Sequence, residues 1–473
     1  MKKTEDIQKD LIYSRKNFWK EFSQEKDEAY ELCDEYKQFL DECKTERECT
    51  DFYQKKLQNM GYTELKDGVT GKKYFRTSRC KNVAIAQKGK LPVSAGVNLI
   101  VSHIDAPRVD FKQSPLAQDS ASGLGIIKTH YYGGIKKYQW MSTPLAIHGV
   151  IIRQDGTKVN ICLGEDENDP VFVMPDLLPH LAKKVQYTEK LATAVKAEHM
   201  QIVFNSIPYI DSEDKEVKDA VKLNALILLN EKYGICEEDF LSAELEIVPA
   251  GKARDAGLDR SMVMAYGQDD RICAFTSARA ITDITAEDFQ KTAIVFLADK
   301  EEIGSEGNSG AKSIFIIDFI ADLLAASGEK NDSVTLRKTL LNSQILSADV
   351  NAAINPNYPT VHEKQNAVHL GCGVGIAKYT GSGGKGGSND ANAEFNAHVF
   401  KIFNEGGVCW QSGALGKVDE GGGGTIAKFM AEYGADVIDC GPGVLGMHSL
   451  YELTSKADIY SSYKAYKVFF LKG

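Results

Sequence analysis

The run Ala293-Ile294-Val295-Phe296-Leu297-Ala298, followed at once by Asp299-Lys300-Glu301-Glu302-Ile303-Gly304-Ser305, constrains this chain more than any other stretch. A short unbroken apolar run bounded by a glycine-containing loop reads as a buried strand. Its end delivers two adjacent carboxylates into that loop. Neighbouring side chains on extended backbone point opposite ways, so Glu301 and Glu302 can take different tasks. One can hold a metal while the other handles a proton.

A chain of 473 residues exceeds one typical domain, and two are expected. The hydrophobic fraction of 43% and charged fraction of 26% are those of a globular protein. With 56 Lys and Arg against 66 Asp and Glu, the net charge of −10 argues against nucleic acid or an anionic membrane as partner. The opening Met1-Lys2-Lys3-Thr4-Glu5-Asp6 lacks the apolar core of a signal peptide, and no apolar run is long enough to span a bilayer. The ten cysteines show no C-x-x-C pair, so reduced thiols in a cytoplasmic protein are expected rather than a cysteine zinc site.

Residues 5–60 carry apolar positions at helical spacing, with a new helix expected to open at Thr50-Asp51-Phe52-Tyr53 and close near Met60-Gly61. Short strands and turns follow, then Val97–Val101 as a buried strand running into Ser102-His103-Ile104-Asp105. The texture changes over 136–250, where short strands and Lys- and Glu-rich helical sequence carry no cluster of metal-binding residue types. This is read as an insertion, dividing the chain into 1–135, 136–250 and 251–473. After 250, strand seeds at 293–298, 345–348 and 435–439 alternate with helix seeds at 271–281, 313–327 and 335–342. Such alternation predicts an α/β fold with a mostly parallel sheet covered by helices on both faces. The glycine cluster 381–388 fails as a phosphate loop, because Gly386 stands where Ser or Thr must follow Gly-Lys. It and Gly421–Gly424 read as close-approach loops.

Five places share one format, a strand end or tight turn followed by a metal-capable residue: His103 with Asp105, Asp269-Asp270, Glu301-Glu302, Asp349 and His448. Carboxyl ends of strands are where sites form in open α/β sheets. Imidazole and carboxylate suit zinc, manganese or cobalt. The helical alternative H-E-x-x-H is missing, since His362-Glu363-Lys364-Gln365-Asn366 has no second histidine. The other seven histidines sit in no motif and read as core or surface residues.

Ser102-His103-Ile104-Asp105-Ala106-Pro107 resembles the H-x-D-x-P element of the aspartyl aminopeptidase family, which includes the yeast vacuolar aminopeptidase I type. Gln268-Asp269-Asp270-Arg271, the D-x-E-E-I-G-S run 299–305, Ser347-Ala348-Asp349 through Asn357-Tyr358, and Gly446-Met447-His448-Ser449-Leu450-Tyr451-Glu452 are similar to its further motifs, in the same order. The resemblance implies a catalytic domain of the co-catalytic zinc exopeptidase kind, interrupted by a smaller β-rich dimerisation domain, and dimers assembled into a homododecamer. It implies two divalent metal ions, zinc foremost, and peptide substrates losing their N-terminal residue. By position, Asp269 would bridge the metals, His103 and Asp349 complete one site, and Glu302 and His448 the other. Asp105 would orient the His103 imidazole, and Glu301 would be the general base.

Asp270 stands where many relatives have Asn, and is assigned to hydrogen bonding. Asn351 and Asn355 replace histidines that some relatives carry near the substrate pocket, so a preference for acidic first residues is not implied. Lys378, Lys385 and Ser388-Asn389-Asp390 fall in a substrate-facing region of the family. Two other readings compete: a two-metal N-acyl amino acid deacylase, and a non-catalytic scaffold of the same fold. The presence of all five ligand positions and of Glu301 speaks against the scaffold.

Overall fold

The computed structural model describes residues 4–213, 215–285 and 288–473; Met1-Lys2-Lys3, at the head of the charged N-terminal stretch, lies outside the described residues. Its largest sheet has nine strands, in the order Thr63–Glu64, Lys73–Ser78, Asn82–Gln87, Thr292–Ala298, Val97–His103, Gln344–Ser347, Asp436–Gly441, Val374–Ala377 and Trp410–Ser412. The four central strands, from Thr292–Ala298 to Asp436–Gly441, run parallel. Antiparallel strands flank them on both sides. Every residue of Thr292–Ala298 is buried, as the unbroken apolar run predicts for a strand covered on both faces.

The alternation of that strand sorts its side chains between two cores. Ala293, Val295 and Leu297 pack with Tyr36, Phe39, Phe275 and Phe469 of the helices Lys26–Glu42, Gln268–Thr282 and Lys456–Lys472. Ile294, Phe296 and Ala298 face Phe319, Ile320 and Leu323 of the helix Phe315–Ala326 on the other side. The helix expected from Thr50 starts earlier, at Glu46. Thr45 caps it: its hydroxyl accepts from the Glu48 N–H, while the Glu48 carboxylate accepts from the Thr45 N–H. This reciprocal pair is a capping box, whose T-x-x-E spelling outweighs the apolar periodicity that begins later.

A second sheet of six antiparallel strands is ordered Lys158–Leu163, Leu145–Ile152, Glu244–Pro249, Arg108–Gln118, Gly125–Tyr132 and Ile202–Asn205. Its own core contains Val109, Ile127, Ile147, Ile161 and Ile247. Two of its strands precede residue 136, where the change of texture was expected to mark the insertion. Strands on either side of that point look alike locally, and only hydrogen-bond pairing assigns them to one sheet or the other. A third, five-stranded sheet pairs Met262–Ala265 with Glu452–Ser455, setting Glu452 beside Ala265. The two glycine clusters lie against each other, with the Gly381 N–H donating to Gly423 O at 2.6 Å. A Cβ on Gly422 would come within 2.1 Å of Gly381 O, so close backbone approach requires glycine there.

Candidate metal and catalytic site

Parallel register brings the strand ends together. Ala298 pairs with His103, and Ser347 pairs with Val101, so the segments leading to Glu301 and to Asp349 leave the sheet beside His103. After Asp299 the chain turns at Lys300, whose φ of 64° is left-handed, into a single 3₁₀ turn, Glu301–Ile303. Lys300 is held there by an ion pair from its Nζ to Asp299 Oδ2 at 2.8 Å. Asp269 and Asp270 open the helix Gln268–Thr282 with non-helical backbone, so both carboxyls face the strand ends rather than the helix flank.

Asp269 is the hub. Its Oδ1 lies 3.2 Å from His103 Nε2, and its Oδ2 lies 3.3 Å from His448 Nε2. His448 Nε2 is also 3.4 Å from Glu302 Oε2, and His103 Nε2 is 3.9 Å from Asp349 Oδ1. The trios His103, Asp269, Glu302 and His103, Asp270, Asp349 each offer donor atoms within 4.8 Å of one another. All five residues expected as ligands therefore converge, and Asp270 joins them at the His103 and Asp349 end. Asp270 Oδ2 also accepts from the His103 backbone N–H at 3.3 Å.

Both imidazoles are oriented from behind. His103 Nδ1 donates to Asp105 O at 3.0 Å and lies 3.2 Å from Asp105 Oδ1, while His448 Nδ1 donates to Gly134 O at 2.9 Å. A carbonyl only accepts, so each Nδ1 carries a proton and each Nε2 is turned toward the carboxylates. Asp105 does more than orient His103. Its Oδ1 accepts from the Glu301 N–H at 3.1 Å and its Oδ2 from the Glu302 N–H at 3.2 Å, fixing the glutamate turn to the histidine strand.

Burial crowds these acids. It pushes the Glu301 carboxyl up to about 7, and it raises Glu302 and Asp349, each further raised by Asp269. Asp269 is also buried, but the two imidazoles outweigh that and hold it below the usual carboxylate range. His448 rises to about 10, because Asp269 and Glu302 overcome the effect of burial. Among the described residues, buried His103 Nε2, Glu302 Oε1 and Asp270 Oδ1 have no hydrogen-bond partner. Orphaned acceptors gathered round one spot are costly in a protein interior and are satisfied by cations. The donor set of imidazole and carboxylate fits zinc.

Two supporting groups carried no role in the sequence reading. Glu452 is buried, and its Oε1 accepts from the His448 N–H at 2.8 Å while its Oε2 accepts from the Asp269 N–H at 3.0 Å. It closes the motif that begins at Gly446, which is the only hint the sequence holds. Tyr132 Oη donates to Asp105 Oδ2 at 2.8 Å, and no local pattern announces it. Asn351 is tied to Gly441 O through its Nδ2, and Lys378 and Lys385 both pair with Asp390. Among the histidines without a motif, buried His362 accepts from the Asn355 N–H and buried His148 bridges Glu48 and Glu165.

An α/β sheet with imidazoles and acids gathered at its strand ends, round a carboxylate that addresses two histidines, defines the class of metal-dependent hydrolases. The profile of the aminopeptidase I zinc metalloprotease family (M18) matches residues 39–470. The chain belongs to that family, and it is an aminopeptidase of the zinc metalloprotease kind. A probable M18 family aminopeptidase 1 of Clostridium acetobutylicum is 49% identical over 468 residues, covering 97% of this chain and 99% of that protein. The crystal structure of an M18 aminopeptidase from Thermotoga maritima superposes with a TM-score of 0.91 at 45% identity, covering 98% of this chain and 100% of that one. The Saccharomyces cerevisiae mApe1 dodecamer shares the fold at 24% identity and a TM-score of 0.75, over 93% of this chain and 96% of that one.

Proposed function

We propose that His103 and Asp349 hold one divalent cation, Glu302 and His448 hold a second, and Asp269 bridges both, with Glu301 as the proton carrier in removal of a peptide's N-terminal residue. The observation that carries this reading is the geometry of Asp269, whose two oxygens each address a different histidine at 3.2 and 3.3 Å. Zinc is the cation of the family; manganese and cobalt accept the same donors. When bound, the cations supply Lewis acidity to the scissile carbonyl and make the attacking water more acidic. Glu301 takes the proton from that water on a carboxylate oxygen and passes it to the leaving amine. Asp105 keeps Glu301 and Glu302 in register by holding both of their backbone N–H groups.

Glu301→Gln tests this assignment. Zinc content and assembly are expected to survive while kcat falls by about 100-fold or more. Glu302→Gln is expected to lose zinc first. Unchanged turnover in Glu301→Gln sinks the assignment.

The same reading makes the protein a homo-oligomer, a dodecamer built from dimers joined through the second sheet, as the mApe1 relative is a dodecamer. The segment beside that sheet supports it: Leu178, Leu181, Leu191, Ile207 and Ile210 are each at least half exposed. Five such residues within 33 positions are what an interaction surface on this segment requires. Sedimentation of Leu191→Glu/Ile210→Glu is expected to yield smaller particles than the parent. Ten free cysteines suit a reducing cytoplasm, and no described helix is long and apolar enough to cross a membrane.

A further inference from the structure

Where Gly125–Tyr132 of the second sheet ends, its last residue and the next two turn back onto the metal centre. Three consecutive residues there reach three different site residues. Tyr132 Oη donates to Asp105 Oδ2 at 2.8 Å. Gly133, with φ of +72°, passes so close that a Cβ would stand 3.3 Å from Glu302 Cβ and 3.4 Å from Pro107. Gly134 O accepts from His448 Nδ1 at 2.9 Å.

Behind these contacts lies a braced anchor. Tyr132 pairs in register with Arg108, whose guanidinium carbon sits 3.9 Å from the centre of the phenol ring. Buried Arg108 is held in turn by Asp110 at 2.8 Å, Glu246 at 3.1 Å and Glu46 at 3.6 Å. Glu246 belongs to the second sheet and Glu46 to the helix Glu46–Asn59 against the first. Burial and the adjoining Asp105 carboxylate push the phenol well above its ordinary range, so Oη remains a donor.

We propose that Tyr132-Gly133-Gly134 is a strap by which the second sheet positions both halves of the metal centre, Tyr132 through Asp105 and His103, and Gly134 through His448. The second sheet is then part of the catalytic apparatus as well as a module for assembly. The inference rests on the reading of His103, Asp269, Glu302, Asp349 and His448 as metal ligands. Tyr132 and Gly134 are positioning residues, since each acts on the site through another residue, Tyr132 through Asp105 and Gly134 through His448. Groups that orient a ligand from behind govern metal affinity as well as rate, typically by 10- to 100-fold.

The test uses the full-length protein and measures zinc affinity by competition with a chelator, alongside kcat, KM and the thermal midpoint of the metal-free protein. Tyr132→Phe deletes only the hydroxyl and leaves the ring stacked on Arg108. Gly134→Ala places a methyl 3.2 Å from His448 Nδ1. Each variant is expected to lose about tenfold or more in zinc affinity and in kcat, with KM within about twofold. Losing the bond to the buried Asp105 carboxylate is expected to lower the metal-free midpoint of Tyr132→Phe by only about 1.5–3 °C, so the variant stays folded at assay temperature. A fall in zinc affinity smaller than about fivefold in either variant overturns the strap. If one variant folds poorly, the zinc affinity of the other decides. His448→Ala separates the strap from the reading beneath it. If that variant holds zinc as the parent does, the ligand assignment fails. If it loses zinc while the two strap variants keep theirs, the strap alone is refuted.

Discussion

Glu452→Gln is the sharpest probe of how the site is held. The wild-type carboxylate accepts from the His448 N–H at 2.8 Å with one oxygen and from the Asp269 N–H at 3.0 Å with the other, in a buried position. Glutamine keeps the shape but offers one acceptor, so one of the two backbone N–H groups must face an amide NH₂. Losing a hydrogen bond to a charged acceptor costs about 1.5–3 kcal/mol, and the stranded buried donor adds about 1–3. Only one of the two bonds is lost, and the net cost lies toward the lower end, at about 3 kcal/mol. With about 2.1 cal/mol/K of unfolding entropy per residue over 473 residues, that cost lowers the thermal midpoint by about 3 °C. The affected amides belong to Asp269 and to His448, both proposed ligands, so zinc affinity is expected to fall by about 10- to 100-fold, and kcat with it. The assays are differential scanning calorimetry of the metal-free protein, chelator competition and steady-state turnover. A lowered midpoint with zinc affinity and kcat within about twofold of the parent would show that Glu452 supports the fold and not the site.

Exhaustive chelation is expected to abolish hydrolysis of aminoacyl chromogenic substrates, and zinc, manganese or cobalt to restore it to different extents, read by adding back each metal in turn. His148 gives a pH dependence of stability. Although burial lowers its pKa, the Cys162, Glu165 and Glu48 side chains raise it from 6.5 to about 11. The folded state therefore binds the proton more tightly, and the stabilisation is complete below pH 6.5 and lost as pH rises toward 11. His148→Gln is expected to flatten the fall in denaturation midpoint between pH 7 and 10; an unaltered slope would refute it. Thr45→Ala removes half of the capping box and is expected to cost about 1 kcal/mol in urea denaturation, with kcat unchanged.

The candidate site was largely legible in the sequence because each proposed ligand belongs to a short local unit. A buried strand or tight turn, followed within a few residues by His, Asp or Glu, spells itself out at 102–105, 268–270, 299–302, 347–349 and 446–448. Strand and helix seeds in the second half of the chain were legible for the same reason, since periodicity is local. The Thr45 cap was also spelled locally, yet the stronger apolar signal from Thr50 onward masked it. What stayed hidden depends on partners far apart in the chain. Tyr132 meets Asp105 across 27 residues, Glu452 meets Asp269 across 183, and His448 meets Gly134 across 314. The extent of the second sheet was hidden too, because Arg108–Gln118 and Gly125–Tyr132 look like any strands until their partners are known.

The sequence by itself determined that Glu301 and Glu302 lie at the end of a buried strand, since apolar run, lysine turn and glycine follow one another within a dozen residues. Tertiary structure decided what they face. Parallel register set the Glu301–Ile303 turn beside His103, the third sheet brought His448 and Asp269 onto one carboxylate, and a loop of the second sheet took hold of both histidine arms. Local backbone preferences can fix a turn, but only long-range hydrogen bonding and burial can bring four carboxylates and two imidazoles within a few ångströms of each other.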